Sequence, residues 1–217
     1  MAGKYDYKQW KDRIASRSDI TGMVTHLTKP PGDTTGMSEE EIDVLAVRNL
    51  IKILEDSVIF GSTTDSGFIV GRTPAVCFQE APLYGLVQNV EHEYRRRTEN
   101  PAERRRYCGI GLAFSKWYVF THGGRPVLYE QTSVAKRILP ETEYWRIVNI
   151  DLTIGGDACI DWTHEREWRL PGDFNFTRKF AHVVLHDARC WKYFIENCPT
   201  EIFHEIYGIT VLKSIMM

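Results

Sequence analysis

The chain has 217 residues, 43% of them hydrophobic and 26% charged, with a formal net charge of −2. A domain of this length buries roughly 70% of its unfolded surface and needs no external staple, and its near-neutral balance excludes a general electrostatic pull towards nucleic acid. Five scattered cysteines make no disulfide framework, no apolar run approaches the ~20 residues that span a bilayer, and the polar N-terminus lacks the apolar core of a secretory signal, so a cytoplasmic protein is expected.

Patterning along the chain predicts a single α+β domain over residues 1–217, with residues 1–22 as an N-terminal helical extension. A short amphipathic helix covers residues 5–17, and a brief strand at 24–28 stops at the turn-forming Pro30-Pro31-Gly32. Ser38 with Glu41 three residues on reads as a capping box. Ile42, Leu45, Leu50, Ile53 and Leu54 then recur at helical spacing, carrying a helix to about Asp56. Strands are expected at 58–60 and 75–78, and a second long helix at 82–97. Strand-like runs follow at 109–114, 126–130, 147–152, 165–170 and 182–185, then a helix at 188–197 and a closing strand at 207–212.

One segment carries unusual chemistry. In Asp161-Trp162-Thr163-His164-Glu165-Arg166-Glu167-Trp168-Arg169-Leu170, an extended chain puts Glu165, Glu167 and Arg169 on one face and Trp168 and Leu170 on the other. Two carboxylates and a guanidinium side by side are costly to desolvate unless they meet partners; a site justifies them, and a wet edge strand is the plainer alternative. Two arginine triplets, Arg95-Arg96-Arg97 and Arg104-Arg105-Arg106, flank a turn on Asn100-Pro101 and are candidate phosphate or nucleic-acid contacts. The alternative is a solvated helix end neutralised by Glu91, Glu93, Glu99 and Glu103. His182 and His186 stand four apart, but their segment has strand composition and lacks a third ligand, so no metal site is expected. Gly109-Ile110-Gly111 lacks the helix that would complete a phosphate loop. Cys77, with no base beside it, reads as a packed core thiol, and Cys108 and Cys159 likewise.

The order of segments resembles the ADP-ribosyltransferase fold, and more narrowly the DarT toxins and related bacterial abortive-infection (phage-defence) proteins. The resemblance rests on Thr25-His26-Leu27-Thr28, Asn49-Leu50-Ile51-Lys52-Ile53-Leu54, Val76-Cys77-Phe78-Gln79-Glu80-Ala81-Pro82-Leu83, Gly109-Ile110-Gly111-Leu112-Ala113-Phe114-Ser115-Lys116 and Arg166-Glu167-Trp168-Arg169. It implies split antiparallel β-sheets with flanking helices, and NAD as substrate. It further implies that His26 contacts the NAD ribose and that Glu167 binds the 2′-hydroxyl of the nicotinamide ribose. Glu165 would orient or activate the acceptor. Thr28, Phe78, Tyr107, Phe114 and Arg125 would line the dinucleotide, with Tyr107, Phe114 or Tyr118 stacking on nicotinamide. The DarT toxins carry an arginine after the middle strand where this chain has Gln79-Glu80; the triplets or Arg125 are candidates for the missing charge, and Glu80 for an extra acid. The implied activity moves ADP-ribose to a macromolecule, a DNA or RNA base first and a protein side chain second, in a toxin or defence effector held by an antitoxin or other inhibitory partner. Two other readings stay open: an inactive nucleotide- or nucleic-acid-binding scaffold, and a nuclease-type hydrolase using Glu165, Glu167 and His164 or His182.

Overall fold

The computed structural model describes residues 6–30, 32–66, 68–100, 105–153 and 159–216. Local chemistry sets its longest helix. The Ser38 hydroxyl accepts from the Glu41 amide at 3.3 Å and the Glu41 carboxylate accepts from the Ser38 amide at 2.8 Å, closing the expected capping box. The helices are α1 (Tyr7–Ala15), α2 (Glu39–Asp56), α3 (Leu83–Glu99), α4 (Lys116–Thr121), α5 (Thr132–Ile138), α6 (Ala188–Asn197) and α7 (Thr200–Glu205). The strands are β1 (Met23–Leu27), β2 (Val58–Ile59), β3 (Ala75–Gln79), β4 (Gly111–Ser115), β5 (Arg125–Pro126), β6 (Leu128–Tyr129), β7 (Ile147–Val148), β8 (Glu167–Pro171), β9 (Phe174–Asn175), β10 (His182–Leu185) and β11 (Gly208–Val211). No helix among the described residues is long and apolar enough to cross a membrane.

Seven strands form one sheet in the order β11-β10-β4-β1-β3-β8-β5, and β2–β9 and β6–β7 make two small ladders. The α+β class holds, but the large sheet is mixed rather than antiparallel throughout: β10 and β11 run parallel, joined by a crossover through α6 and α7. Helices cover both faces. Leu112 and Phe114 of β4 and Val183 and Leu185 of β10 pack under α2 and α6, whereas Ala113 and Val184 face α3 through Leu86, Val87 and Val90. Burial on both sides is why β4 and β10 read as continuous apolar runs.

One seam in this sheet is weak. β1 pairs with β4 over five residues and β3 with β8 over five, but β1 and β3 share only the pair Thr25–Gln79. Beyond it the strands part, and the His26 ring bridges the gap by donating from Nδ1 to the Cys77 carbonyl at 2.9 Å.

Several expected elements are revised. The strand at 109–114 begins at Gly111, because Gly109 has φ +64° and turns the chain into the sheet. The run at 126–130 breaks into β5 and β6 where the Val127 amide donates to the Glu167 carbonyl. α4, α5 and α7 are six or seven residues long, too short to leave a periodic signature. Cys108 is buried as expected, but Cys159 is exposed and Cys77 only half-buried.

Gly111 lets β4 lie against β1: a Cβ there would overlap the His26 carbonyl oxygen. Gly111→Ala is therefore expected to lower stability by roughly 1–3 kcal/mol, read as a lower urea midpoint at unchanged m-value.

Candidate active site

Where β1 and β3 part, a cavity of about 800 Å³ opens, within the usual range for small-molecule sites. Thr25, Gln79 and Glu167 stand in register across β1, β3 and β8, and Cys77 stands opposite Arg169. Directly opposed residues point to the same face, so these five share one side of the sheet, while His26 and Phe78 belong to the other. All seven line the cavity. A continuous sheet would have kept the two groups apart; the seam brings them together.

Arg169 organises the acidic side. Its side chain is buried, and Nε donates to Glu167 Oε1 at 2.7 Å while Nη2 donates to Oε2 at 3.3 Å. The remaining donors go to the carbonyls of Trp145 (2.9 Å), Ile147 (3.0 Å) and Phe68 (3.1 Å). The planar guanidinium thus fixes the carboxylate by two bonds and is itself fixed by three. The Glu167 amide donates to the Tyr129 hydroxyl at 2.7 Å, anchoring the start of β8.

Glu165 arrives by another route than the expected strand. Asp161 accepts from the Thr163 amide (2.8 Å) and hydroxyl (2.6 Å), starting a short 3₁₀ turn over Thr163–Glu165, and Arg166 follows in the left-handed region with φ 48°. The strand begins only at Glu167, so strand alternation does not align the two carboxylates; the turn swings Glu165 into the same cavity. The Tyr107 hydroxyl donates to Glu165 Oε1. Burial, and next the charge of Glu167, push the Glu165 carboxyl up to about 7. Burial and Glu167 also push the Cys77 thiol far up, so it stays protonated and a poor nucleophile. Burial lowers His26, keeping the imidazole neutral with its proton on Nδ1.

The other expected site residues divide. Thr28 lines the cavity with its hydroxyl committed to the Ile110 carbonyl at 2.9 Å; Phe78 and Tyr107 line it too. Phe114 does not: it is fully buried in an aromatic cluster with Phe78, Tyr118, Phe174 and Phe176. Tyr118 is held in that cluster as well, against His122 and Phe180. Arg125 lies outside the cavity lining, stacked over Phe120 and bonded to the Phe120 and Gly124 carbonyls. Glu80 is no extra acid either, since it binds Lys116 Nζ (2.9 Å), Arg166 Nη2 (3.3 Å) and Trp168 Nε1 (2.8 Å).

The arginine triplets divide as well. Arg97 and Arg105 are buried, pairing with Glu39 at 2.7 and 2.6 Å, and Arg105 with Asp43 at 2.6 Å, where the C-terminal end of α3 and the segment after it meet the N-terminal part of α2. Arg95 bonds the Glu91 carbonyl and Arg96 pairs with Glu93; neither lines the cavity. Arg104 lies outside the described residues. Of the five described, only Arg106 reaches the cavity, its guanidinium over the Trp162 ring at 4.8 Å.

Sequence reasoning missed Gln79, Lys29, Asn49, Trp162, Phe60 and Phe68 as lining residues. Phe68 carried a faint signal, as a large aromatic in a Gly- and Thr-rich loop, whereas Phe60 read as the end of a strand; both are exposed. Lys29 and Arg106 supply exposed positive charge at the cavity, opposite in sign to the Glu165–Glu167 pair. Among the described residues no group of three His, Cys, Asp or Glu is arranged to hold a metal ion. Scanned against protein-family models, curated proteins and solved structures, the chain matches none of them.

Removing the guanidinium strands a buried carboxylate. Arg169→Met is expected to cost about 3–5 kcal/mol in urea unfolding, and Glu167→Gln in the same chain to recover part of that loss.

Glu165 has a folded-state pKa raised from 4.5 to about 7, so the stability it contributes is complete below pH 4.5 and is lost as pH rises through about 7. Glu165→Gln should flatten the stability–pH curve in that window and exceed the parent above it by up to roughly 3 kcal/mol, measured by denaturation across pH.

Proposed function

We propose that the protein transfers ADP-ribose from NAD to a macromolecular acceptor, a nucleic-acid base first and a protein side chain second, and that its fold is of the ADP-ribosyltransferase type. The observation that carries the reading is the convergence of His26 and Glu167, from opposite faces of the sheet, on one cavity of about 800 Å³. The cavity's chemistry suits the dinucleotide. Acidic Glu165 and Glu167 suit the cationic nicotinamide end, Lys29 and Arg106 suit the diphosphate, and Trp162, Phe60 and Phe68 offer aromatic faces.

In this reading His26, neutral and fixed on the Cys77 carbonyl, contacts the ribose. Breaking the bond between nicotinamide and ribose builds positive charge on the sugar, and the immobilised Glu167 carboxylate stabilises that charge where it develops. The acceptor's N–H or O–H is replaced by the new bond to the ribose. Glu165, near half-ionised at neutral pH, takes the released proton, with the Tyr107 hydroxyl holding its carboxylate in place. Nicotinamide leaves as a neutral molecule.

A second reading, nucleotide binding without catalysis, draws on the two-point grip of Arg169, which offsets part of the Glu167 charge. One assay separates them: purified protein is incubated with adenylate-labelled NAD and a bacterial lysate, then DNA, RNA and protein are recovered. Transfer predicts label in one fraction, falling about 10²–10³-fold in Glu167→Gln. Binding without consumption of NAD, unchanged by the substitution, sinks the transferase reading.

A further inference from the structure

Glu80 follows β3 and holds the place where the turn carrying Glu165 becomes the strand carrying Glu167. The β3–β8 ladder runs one bond beyond the pair Gln79–Glu167, with the Glu80 amide donating to the Arg166 carbonyl at 3.1 Å. The Glu80 carboxylate accepts from Arg166 Nη2 (3.3 Å) and Lys116 Nζ (2.9 Å) on Oε1, and from Trp168 Nε1 (2.8 Å) on Oε2. One carboxylate therefore ties the residues on both sides of Glu167. By strand alternation it does so from the sheet face opposite to the Glu167 side chain. The Glu80 and Lys116 side chains are 16% and 15% exposed, so their pairing is screened little.

Arg166 needs that hold. With φ 48° it occupies the left-handed region, which a residue with a Cβ enters at a cost and keeps only where its surroundings over-determine it. Its amide donates to the Thr163 carbonyl at 3.1 Å, its guanidinium also donates to the Asp19 carbonyl, and Glu80 supplies two further contacts. The two cavity acids depend on this differently. Glu167 is gripped by Arg169, and its amide by Tyr129, whatever the backbone does at Arg166. Glu165 stands on the far side of Arg166, so a change of backbone there swings the turn over Thr163–Glu165 relative to β8 and takes the carboxyl with it. Charge sets the direction of that swing. Glu165 faces Glu167, with Lys29, Arg169, Arg106, the Cys77 thiol and the Tyr107 hydroxyl also around it. Once ionised it is repelled by Glu167 and poorly solvated, so a loosened turn carries it outwards.

We infer that Glu80 is a positioning residue for Glu165, acting through Arg166 to hold that carboxyl in the cavity beside Glu167. The role concerns how the acid is set, whatever ligand the cavity takes, and so it goes beyond the transferase reading and stands without it.

The test follows the Glu165 carboxyl across pH by carbon NMR of glutamate-labelled protein, its signal assigned by its absence from Glu165→Gln. Glu80→Ala removes the anion, and Arg166→Met the cation, of one pair. Through charge alone the two variants act in opposite directions: loss of a nearby anion lowers the Glu165 midpoint, and loss of a nearby cation raises it. Through position both lower it from about 7 towards 4.5, and a fall of about one unit is expected in each. The proton on Arg169 Nε, which bonds Glu167, should keep its parent signal in both. A rise in Arg166→Met, or an unchanged midpoint in either variant, overturns the inference. A fall accompanied by loss of the Arg169 signal also overturns it, and makes Glu80 a general brace for the end of β8. If Glu80→Ala fails to fold, the sign of the shift in Arg166→Met decides alone.

Discussion

A single register pair, Thr25 opposite Gln79, joins the two parts of the large sheet, and the rest of the site depends on how little else does. Hydrogen-bonded ladders normally close a sheet against ligands, because each strand satisfies its neighbour's backbone. Here the ladder stops after one pair, and the backbone group left at the edge, the Cys77 carbonyl, is taken by the His26 ring. The gap is held open by close packing elsewhere: Gly111 brings β4 hard against β1, and β8 holds β3 over its full length. The two parts are each well paired, so the parting between them does not cost the fold its core.

Burial of charge follows the same logic twice. At the seam, Arg169 has a carboxylate and three carbonyls around it. At the α2–α3 contact, Arg97 and Arg105 meet Glu39 and Asp43, with the Tyr94 ring under Arg105 at 4.3 Å and its hydroxyl on Asp43. In both places a guanidinium works because its fork of donors can be distributed among several fixed acceptors. The difference is in what remains accessible. The α2–α3 network is turned inwards and joins elements, whereas Glu167 keeps one side on the cavity.

How much of this could be read beforehand varies with the range of the signal. α2 was legible from the Ser38–Glu41 box and a sustained apolar period, and β10 from an apolar run with covered faces, because those signals lie within the element itself. The acidic pair was legible as chemistry but not as geometry: Glu165, Glu167 and Arg169 fit strand alternation, and the Asp161–Thr163 turn signal beside them was weaker than that pattern. Arg97 and Arg105 were not legible as buried, because the carboxylates that pair with them sit on α2, far along the chain. Phe114 and Arg125 were placed near the dinucleotide by resemblance alone, and packing sends them elsewhere. Gln79 had no local signal, since nothing in the strand's own sequence marks which of its residues lines a cavity.

The left-handed residue Arg166 separates two carboxylates that are nearly adjacent in sequence. Glu167 belongs to a strand and inherits its rigidity; Glu165 belongs to a turn, tied down by Tyr107 and by the Asp161–Thr163 bonds. Changes in the turn can therefore re-aim one acid while the other keeps its place. In evolutionary terms the segment is modular: a lineage could alter what Glu165 meets through substitutions at residues 161–166, without disturbing the register of β8 on β3.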